Sequence, residues 1–309
     1  MSRSWLALAL VVAIIAVAVV IQVTSRPKTP PTGEESKGTP AVPKETTPEP
    51  PPKKTPEPPP ETKKAPEEAK KPEPVTDPDT VLKEADTQIA ANKQVEARKL
   101  LSHALLVNPG SEKAGEFKTR LTKLSEELLF SPRPSPLAAV HEVAPGDTLG
   151  KIAGKHKTTV ELIRRINGLK DDTIRPGQKL KAIPGGFDVE VVKGSFLLTV
   201  TKDGVWVREF KVGLGKDGST PVGEFVAGHK LEKPTYFGDG AAIPFGDKKN
   251  NPLGTRWITI EGQYGIHGTW EPESMGKEMS KGCVRMLNED VEWLYDLIVP
   301  GVSKIAIKP

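Results

Sequence analysis

The chain has 309 residues, enough for two or three domains, but only 36% of them are hydrophobic and 17 of its 31 prolines fall between Pro27 and Pro78, so a large part cannot build a core. Its formal net charge of +4 is small and spread along the chain, which excludes a nucleic-acid surface built on a basic stripe. Cys283 is the single cysteine, which excludes an intramolecular disulfide and a cysteine-rich zinc site.

Residues 5–23 (WLALALVVAIIAVAVVIQV) carry no charge and one polar side chain, Gln22. At a helical rise of about 1.5 Å per residue they span roughly 28 Å, close to a bilayer core. A cleaved signal has a shorter apolar stretch and small residues at its end, whereas this one runs into Val-Ile-Gln-Val-Thr-Ser-Arg. Residues 1–25 are therefore expected to be an uncleaved signal anchor, a transmembrane helix. Residues 26–79 are mostly Pro, Lys, Glu and Thr with almost nothing to bury, which predicts a disordered, extended linker.

From residue 80 the apolar period becomes helical: Val81, Leu82, Ala85 and Ile89, then Val95, Ala97, Leu100, Leu101, Ala104 and Leu105. Asn108-Pro109-Gly110 ends the second helix, and a third is expected over 112–129. The segment 80–131 is read as a small all-α unit whose spacing resembles one tetratricopeptide repeat. It either spaces domains or docks a protein partner.

The segment 139–184 has the grammar strand, capped helix, helix, strand. Asp147 or Thr148 caps a helix with Leu149, Ile152 and Ala153 on one face; Thr159 starts a second with Val160, Leu162, Ile163 and Ile166 inward, ended by Asn167-Gly168. Val143-x-x-Gly146-Asp147-Thr148-Leu149, Ile152-Ala153, Asn167 and Gly177-Gln178-x-Leu180 resemble the LysM family along its whole length, with His141 where that family often has tyrosine. The resemblance implies a βααβ domain that binds N-acetylglucosamine-containing glycan, here peptidoglycan, through the loops holding Gly146, Asp147 and Thr148 and, before the last strand, Ile174.

Residues 187–309 are mostly strands. Runs at 189–192, 196–201 and 205–210 are rich in β-branched residues, with Asp203-Gly204 as a hairpin turn. Further strands are expected at 223–227, 257–266 and 302–307, and one helix at 290–298. Within this segment Cys283 follows His267 by sixteen positions, in Ser280-Lys281-Gly282-Cys283-Val284-Arg285-Met286. A thiol attacks a carbonyl only as thiolate, so it needs a base and a donor for the oxyanion. His267 is the candidate base; the Gly282 and Cys283 amides are the candidate oxyanion hole. Arg285 is a candidate clamp for a substrate carboxylate, with a structural ion pair as the alternative. Ser280 hydrogen-bonds either locally or to substrate.

Ile266-His267-Gly268-Thr269, Ser280-x-Gly282-Cys283-Val284-Arg285-Met286, Thr220-Pro221-x-Gly223-x-Phe225 and Asn251-Pro252-Leu253-Gly254 resemble the L,D-transpeptidase (YkuD) catalytic domain. Many members have a second histidine where Lys281 stands, so no role for it carries over. The resemblance implies a mostly-β fold, no metal and no cofactor. It also implies a backbone carbonyl, that of Gly268, holding the His267 ring. The reaction implied is attack by Cys283 on the third residue of a tetrapeptide stem, loss of D-alanine, and transfer to the side-chain amine of a second stem. Water, a free D-amino acid or a protein are alternative acceptors. A non-catalytic LysM wall-binding protein is the other reading; a cysteine peptidase usually places its cysteine before its histidine. Such a substrate puts the N-terminus in the cytoplasm and everything after Thr24 outside the membrane.

Overall fold

A computed structural model describes residues 77–238 and 240–309. The expected membrane helix and nearly all of the expected linker lie outside the described residues, among which no helix is long and apolar enough to cross a membrane.

Helix α1 (Pro78–Ala90) begins two residues before the period change at residue 80. The Asp77 carboxylate accepts the Thr80 amide at 3.0 Å, and Pro78 sits in the first turn, where a missing N–H costs nothing. Helices α2 (Gln94–Val107) and α3 (Ala114–Ser125) follow. The third helix is shorter than the periodicity predicts, because after Ser125 the backbone widens into a π turn over Glu126–Phe130. The three helices bury Val81, Leu82, Ala85, Ala97, Leu101, Leu105, Phe117, Leu121 and Leu124 together with Trp206, which belongs to the strand-rich region. The helical unit is thus docked on its own chain.

The next unit is strand β1 (Ala139–Glu142), helices α4 (Leu149–His156) and α5 (Val160–Asn167), and strand β2 (Lys179–Ala182), with β1 and β2 antiparallel. Thr148 and Thr159 cap the two helices through their side chains, and Gly168, at φ +63°, ends α5. Val143, Leu149, Ile152, Ala153, Ile163 and Leu180 form its core. Leu162 and Ile166, also on α5, instead join the large core that follows, along with Leu129, Ile183 and Phe187. Each such fully buried side chain contributes about 1.5–3 kcal/mol. This continuity fixes the small βααβ unit to the strand-rich one.

The remaining strands are β3 (Asp188–Val192), β4 (Leu197–Lys202), β5 (Val205–Lys211), β6 (Leu214–Gly215), β7 (Gly223–Val226), β8 (Lys230–Glu232), β9 (Tyr236–Gly238), β10 (Ala241–Ile243), β11 (Arg256–Glu261), β12 (Tyr264–His267), β13 (Glu278–Ser280), β14 (Val284–Arg285) and β15 (Lys304–Lys308); helix α6 is Asn288–Leu297. A five-stranded sheet runs β5-β4-β3-β15-β7 and a four-stranded one β14-β12-β11-β8. Asp203 and Gly204, at φ +53° and +74°, make the β4–β5 turn that their dipeptide predicts. The single strand expected over 257–266 is corrected to two: the chain folds back at Gly262-Gln263, and β11 pairs antiparallel with β12. Ile258, Ile260, Ile266 and Val284 face the core with α6 residues Val291, Leu294 and Leu297. Because side chains alternate along a strand, the opposite face of this sheet receives Trp257, Thr259, Gly265, His267, Cys283 and Arg285.

Candidate active site

Strand β14 pairs parallel with β12, with Ile266 opposite Val284 and His267 opposite Arg285. One step back in that register sets Cys283 opposite Gly265. His267 and Cys283 are therefore diagonal neighbours on one face of adjacent strands. Val284 is fully buried in the core, which turns Cys283 and Arg285 to the other side. Cys283 is half-buried and opens into a cavity of about 570 Å³ lined by Leu253, Trp257, Thr259, Gln263 and Tyr264 among others.

His267 is buried, 3% exposed. Its Nδ1 is 2.6 Å from the Gly268 carbonyl oxygen. A carbonyl only accepts, so Nδ1 carries the proton and Nε2 keeps the lone pair. Burial pushes the His267 pKa down to about 4; the Gly268 carbonyl opposes this, the Arg285 charge adds to it, and the Leu253 carbonyl opposes it. Burial pushes the Cys283 thiol up, with the Gly265 amide and Arg285 pulling the other way. Thiol above imidazole in pKa means that the resting pair is neutral at pH 7, not a thiolate–imidazolium pair. The thiol hydrogen bond goes to the Gln263 carbonyl at 3.9 Å, so in this state Cys283 is not yet bonded to His267.

The flanking residues are held by one another. The Ser280 hydroxyl donates to the Cys283 carbonyl (2.7 Å) and accepts the Gly282 amide (3.1 Å), so its bonds are local and the Gly282 N–H is occupied. The oxyanion hole read from the motif thus requires the Gly282 amide to leave Ser280. Arg285 pairs with Glu271, Nη1 to Oε2 at 2.8 Å, while its Nε is buried without a partner. Of the two readings of Arg285, the ion pair is the one present in this structure. Gly282 has φ +121°, and a Cβ there would meet the Tyr264 ring and stand 3.1 Å from the Ser219 carbonyl oxygen.

In the βααβ unit, Thr148 caps α4 and the Gly146 carbonyl accepts from Lys151 Nζ at 2.8 Å. Asp147 turns inward: its carboxylate accepts the Ala144 amide (2.9 Å) and the His141 ring (Nε2, 3.0 Å), and His141 Nδ1 meets His156 Nε2 at 3.2 Å. His141 thus uses both ring nitrogens, Nε2 toward Asp147 and Nδ1 toward His156. Ile174 is half-buried against the unit's core.

Trp257 and Thr259 also line the site, and neither belongs to the motifs that mark it in the sequence. Two-residue alternation backward from His267 marks Gly265, but Trp257 and Thr259 become neighbours only once the 262–263 turn is known.

Residues 187–307 match the L,D-transpeptidase catalytic domain and residues 141–182 the LysM domain. The chain is 32% identical over 181 residues to YkuD of Bacillus licheniformis, a protein assigned as an L,D-transpeptidase; the match covers 55% of this chain and 99% of that protein. It is 39% identical over 126 residues to YqjB of Bacillus subtilis, assigned the same way, covering 38% of this chain and 70% of that one. The catalytic domain of an E. faecium L,D-transpeptidase, solved by NMR, aligns with a TM-score of 0.33 at 24% identity, over 41% of this chain and 99% of that one. With nearly the full length of the B. licheniformis protein matched, the chain belongs to the YkuD-type L,D-transpeptidases and carries a LysM domain ahead of its catalytic domain.

Proposed function

We propose that the protein is a peptidoglycan cross-linking L,D-transpeptidase with Cys283 as nucleophile and His267 Nε2 as base. The observation that carries this reading is the Nδ1–Gly268 carbonyl bond, which leaves Nε2 as the basic nitrogen on the face shared with Cys283. A neutral pair suits a step in which the thiol proton passes to Nε2 as sulfur attacks. The acyl group of the third residue of a tetrapeptide stem is transferred to the Cys283 sulfur as its C–N bond to D-alanine breaks. The side-chain amine of a second stem then resolves the thioester. The Cys283 amide, with the Gly282 amide once released from Ser280, would hold the oxyanion.

The same reading places LysM on the glycan strands and the N-terminal segment in the cytoplasmic membrane, with the folded region outside the cytoplasm. Binding through LysM raises the effective concentration of stems near the thiol.

The test is mass spectrometry of the chain incubated with disaccharide-tetrapeptide, beside Cys283→Ala. A thioester adduct and a cross-linked dimer, both absent in the variant, are expected. Trimmed monomer without dimer would make it a carboxypeptidase, and no adduct would end the proposal.

A further inference from the structure

Trp257 packs against the proposed base. Its ring is stacked on His267 with centroids 5.8 Å apart and planes 13° from parallel, the two residues being register partners across β11 and β12. The indole is fixed at two further points. Its Nε1–H donates to Thr259 Oγ1 at 2.9 Å, and its six-membered ring fills the space where Gly265 lacks a side chain, since a Cβ there would stand 2.5 Å from Trp257 Cζ2. Trp257 also lines the cavity that Cys283 opens into.

When His267 accepts a proton it becomes a buried cation. Among its described contacts are the Gly268 and Leu253 carbonyls, with the Arg285 guanidinium acting against the charge. No carboxylate hydrogen-bonds the ring among the described residues, and Glu271, the acid of this neighbourhood, is taken by Arg285. A parallel indole face is an attractive surface for such a cation. A ring stacked in parallel also restricts rotation of the imidazole out of its plane.

We propose that Trp257 is a positioning residue of the acyl transfer, holding the plane of His267 and stabilising the imidazolium; this rests on the roles proposed for Cys283 and His267. In the acylation step the S–H bond breaks and its proton goes to His267 Nε2 as the S–C bond forms. The C–N bond to D-alanine then breaks, and the same proton passes to the leaving nitrogen. Trp257 acts while that proton is on the ring.

The test needs no substrate in its first arm. Alkylation of Cys283 by iodoacetamide at pH 7 is followed in the full chain, in Trp257→Leu, Trp257→Met and Trp257→Phe, in His267→Gln, and in Trp257→Leu/His267→Gln. Loss of the aromatic face in the Leu and Met variants should slow alkylation about tenfold, toward the His267→Gln rate, while Phe, which keeps a face, stays within about threefold of the parent. The double variant should be no slower than His267→Gln alone. In the second arm, on tetrapeptide stems, the Leu variant should lose kcat about tenfold with KM nearly unchanged, the signature of an interaction made in the transition state. The inference is overturned if folded Leu or Met variants alkylate at the parent rate, if Phe is as slow as Leu, or if Trp257→Leu slows the His267→Gln background further. A parent that alkylates with His267 dependence yet turns over no stems would instead sink the transpeptidase reading and leave this one standing.

Discussion

Arg98 and Trp206 join the helical unit to the edge of the catalytic sheet: the guanidinium donates to the Trp206 carbonyl at 3.1 Å, and the Trp206 indole is buried among the helices. Strand β5 ends the five-stranded sheet, so its outer backbone groups need partners. Ser102 Oγ accepts the Trp206 amide at 2.8 Å, and Lys118 pairs with Glu209 at 2.7 Å. Burial pushes the Arg98 pKa down to about 10, so the residue stays charged at neutral pH. Trp206→Ala should cost about 3–5 kcal/mol of stability and shift loss of the helical signal to lower denaturant. Urea titration followed by circular dichroism measures it; an unchanged midpoint would mean that the helices are not held by this contact.

The pKa order at the site makes a spectroscopic prediction. With the thiol raised by burial and His267 at about 4, no thiolate should be present at neutral pH in the free enzyme. The ultraviolet thiolate absorbance, taken as the difference from Cys283→Ala, should appear only above the ordinary thiol range. An absorbance already full at pH 6 would show the ion pair instead.

His267 also ties stability to pH. Its folded pKa of about 4 lies below the ordinary 6.5, so between these values the unfolded chain binds a proton that the folded chain does not. Stability should therefore fall as pH drops from 6.5 to 4, by about 3 kcal/mol at the order-of-magnitude level. His267→Gln should remove that share of the slope in denaturation at pH 7, 5.5 and 4.5. A slope identical to the parent's would contradict the assignment.

Gly282→Ala tests the turn before the proposed nucleophile, Cys283. At φ +121° an alanine is strained, and its Cβ would run into the Tyr264 ring. A loss of about 1–3 kcal/mol is expected, together with loss of thioester formation, because Cys283 moves with residue 282. Calorimetry and adduct mass spectrometry on one sample would separate the two effects; full adduct formation would show that the site tolerates the shift.

Much of this arrangement is local and therefore readable from residue order. The caps at Thr148 and Thr159, the Gly168 stop and the Asp203-Gly204 turn follow from chemistry within four residues. Cys283 and His267 were legible because a thiol, an imidazole and glycines cluster in two short stretches. The Gly268 carbonyl on the His267 ring was legible too, but the partners of Trp206 and Arg285 and the indole stacked on His267 were not. Trp206 looks like an ordinary strand residue until the helices 104 positions earlier close over it. Glu271 is one acid among many until the loop after His267 brings it to Arg285. Trp257 reaches His267 only through a turn that two uninterrupted β-prone runs concealed.

Lys181 stands where three units meet. It lies on β2 of the LysM domain, is 4% exposed, and donates from Nζ to the Leu128 and Ser131 carbonyls, each at 2.8 Å, at the end of the helical unit. Nearby, Phe130 stacks on Phe187 with centroids 6.0 Å apart and meets Trp293 edge-on at 5.5 Å. Burial pushes the Lys181 pKa down to about 8 from 10.5. A base with a lowered folded pKa is protonated in both states below about 8, where the cost of burying its charge is constant. Between about 8 and 10.5 the unfolded chain keeps a proton that the folded chain has released, so this residue makes stability rise with pH there. The gain is at most about 3 kcal/mol. Lys181→Met abolishes that rise but leaves two carbonyls without a donor, at about 1–3 kcal/mol. The two effects nearly cancel at pH 7, so parent and variant should unfold at similar urea concentrations there. At pH 10 the parent should be the more stable by about 2–3 kcal/mol, since it has shed the buried charge while its neutral amine can still donate to a carbonyl. Every other titratable group is common to both proteins, so the difference between them belongs to Lys181. A difference that does not change from pH 7 to pH 10 would mean that the ammonium at this junction is solvated, not buried.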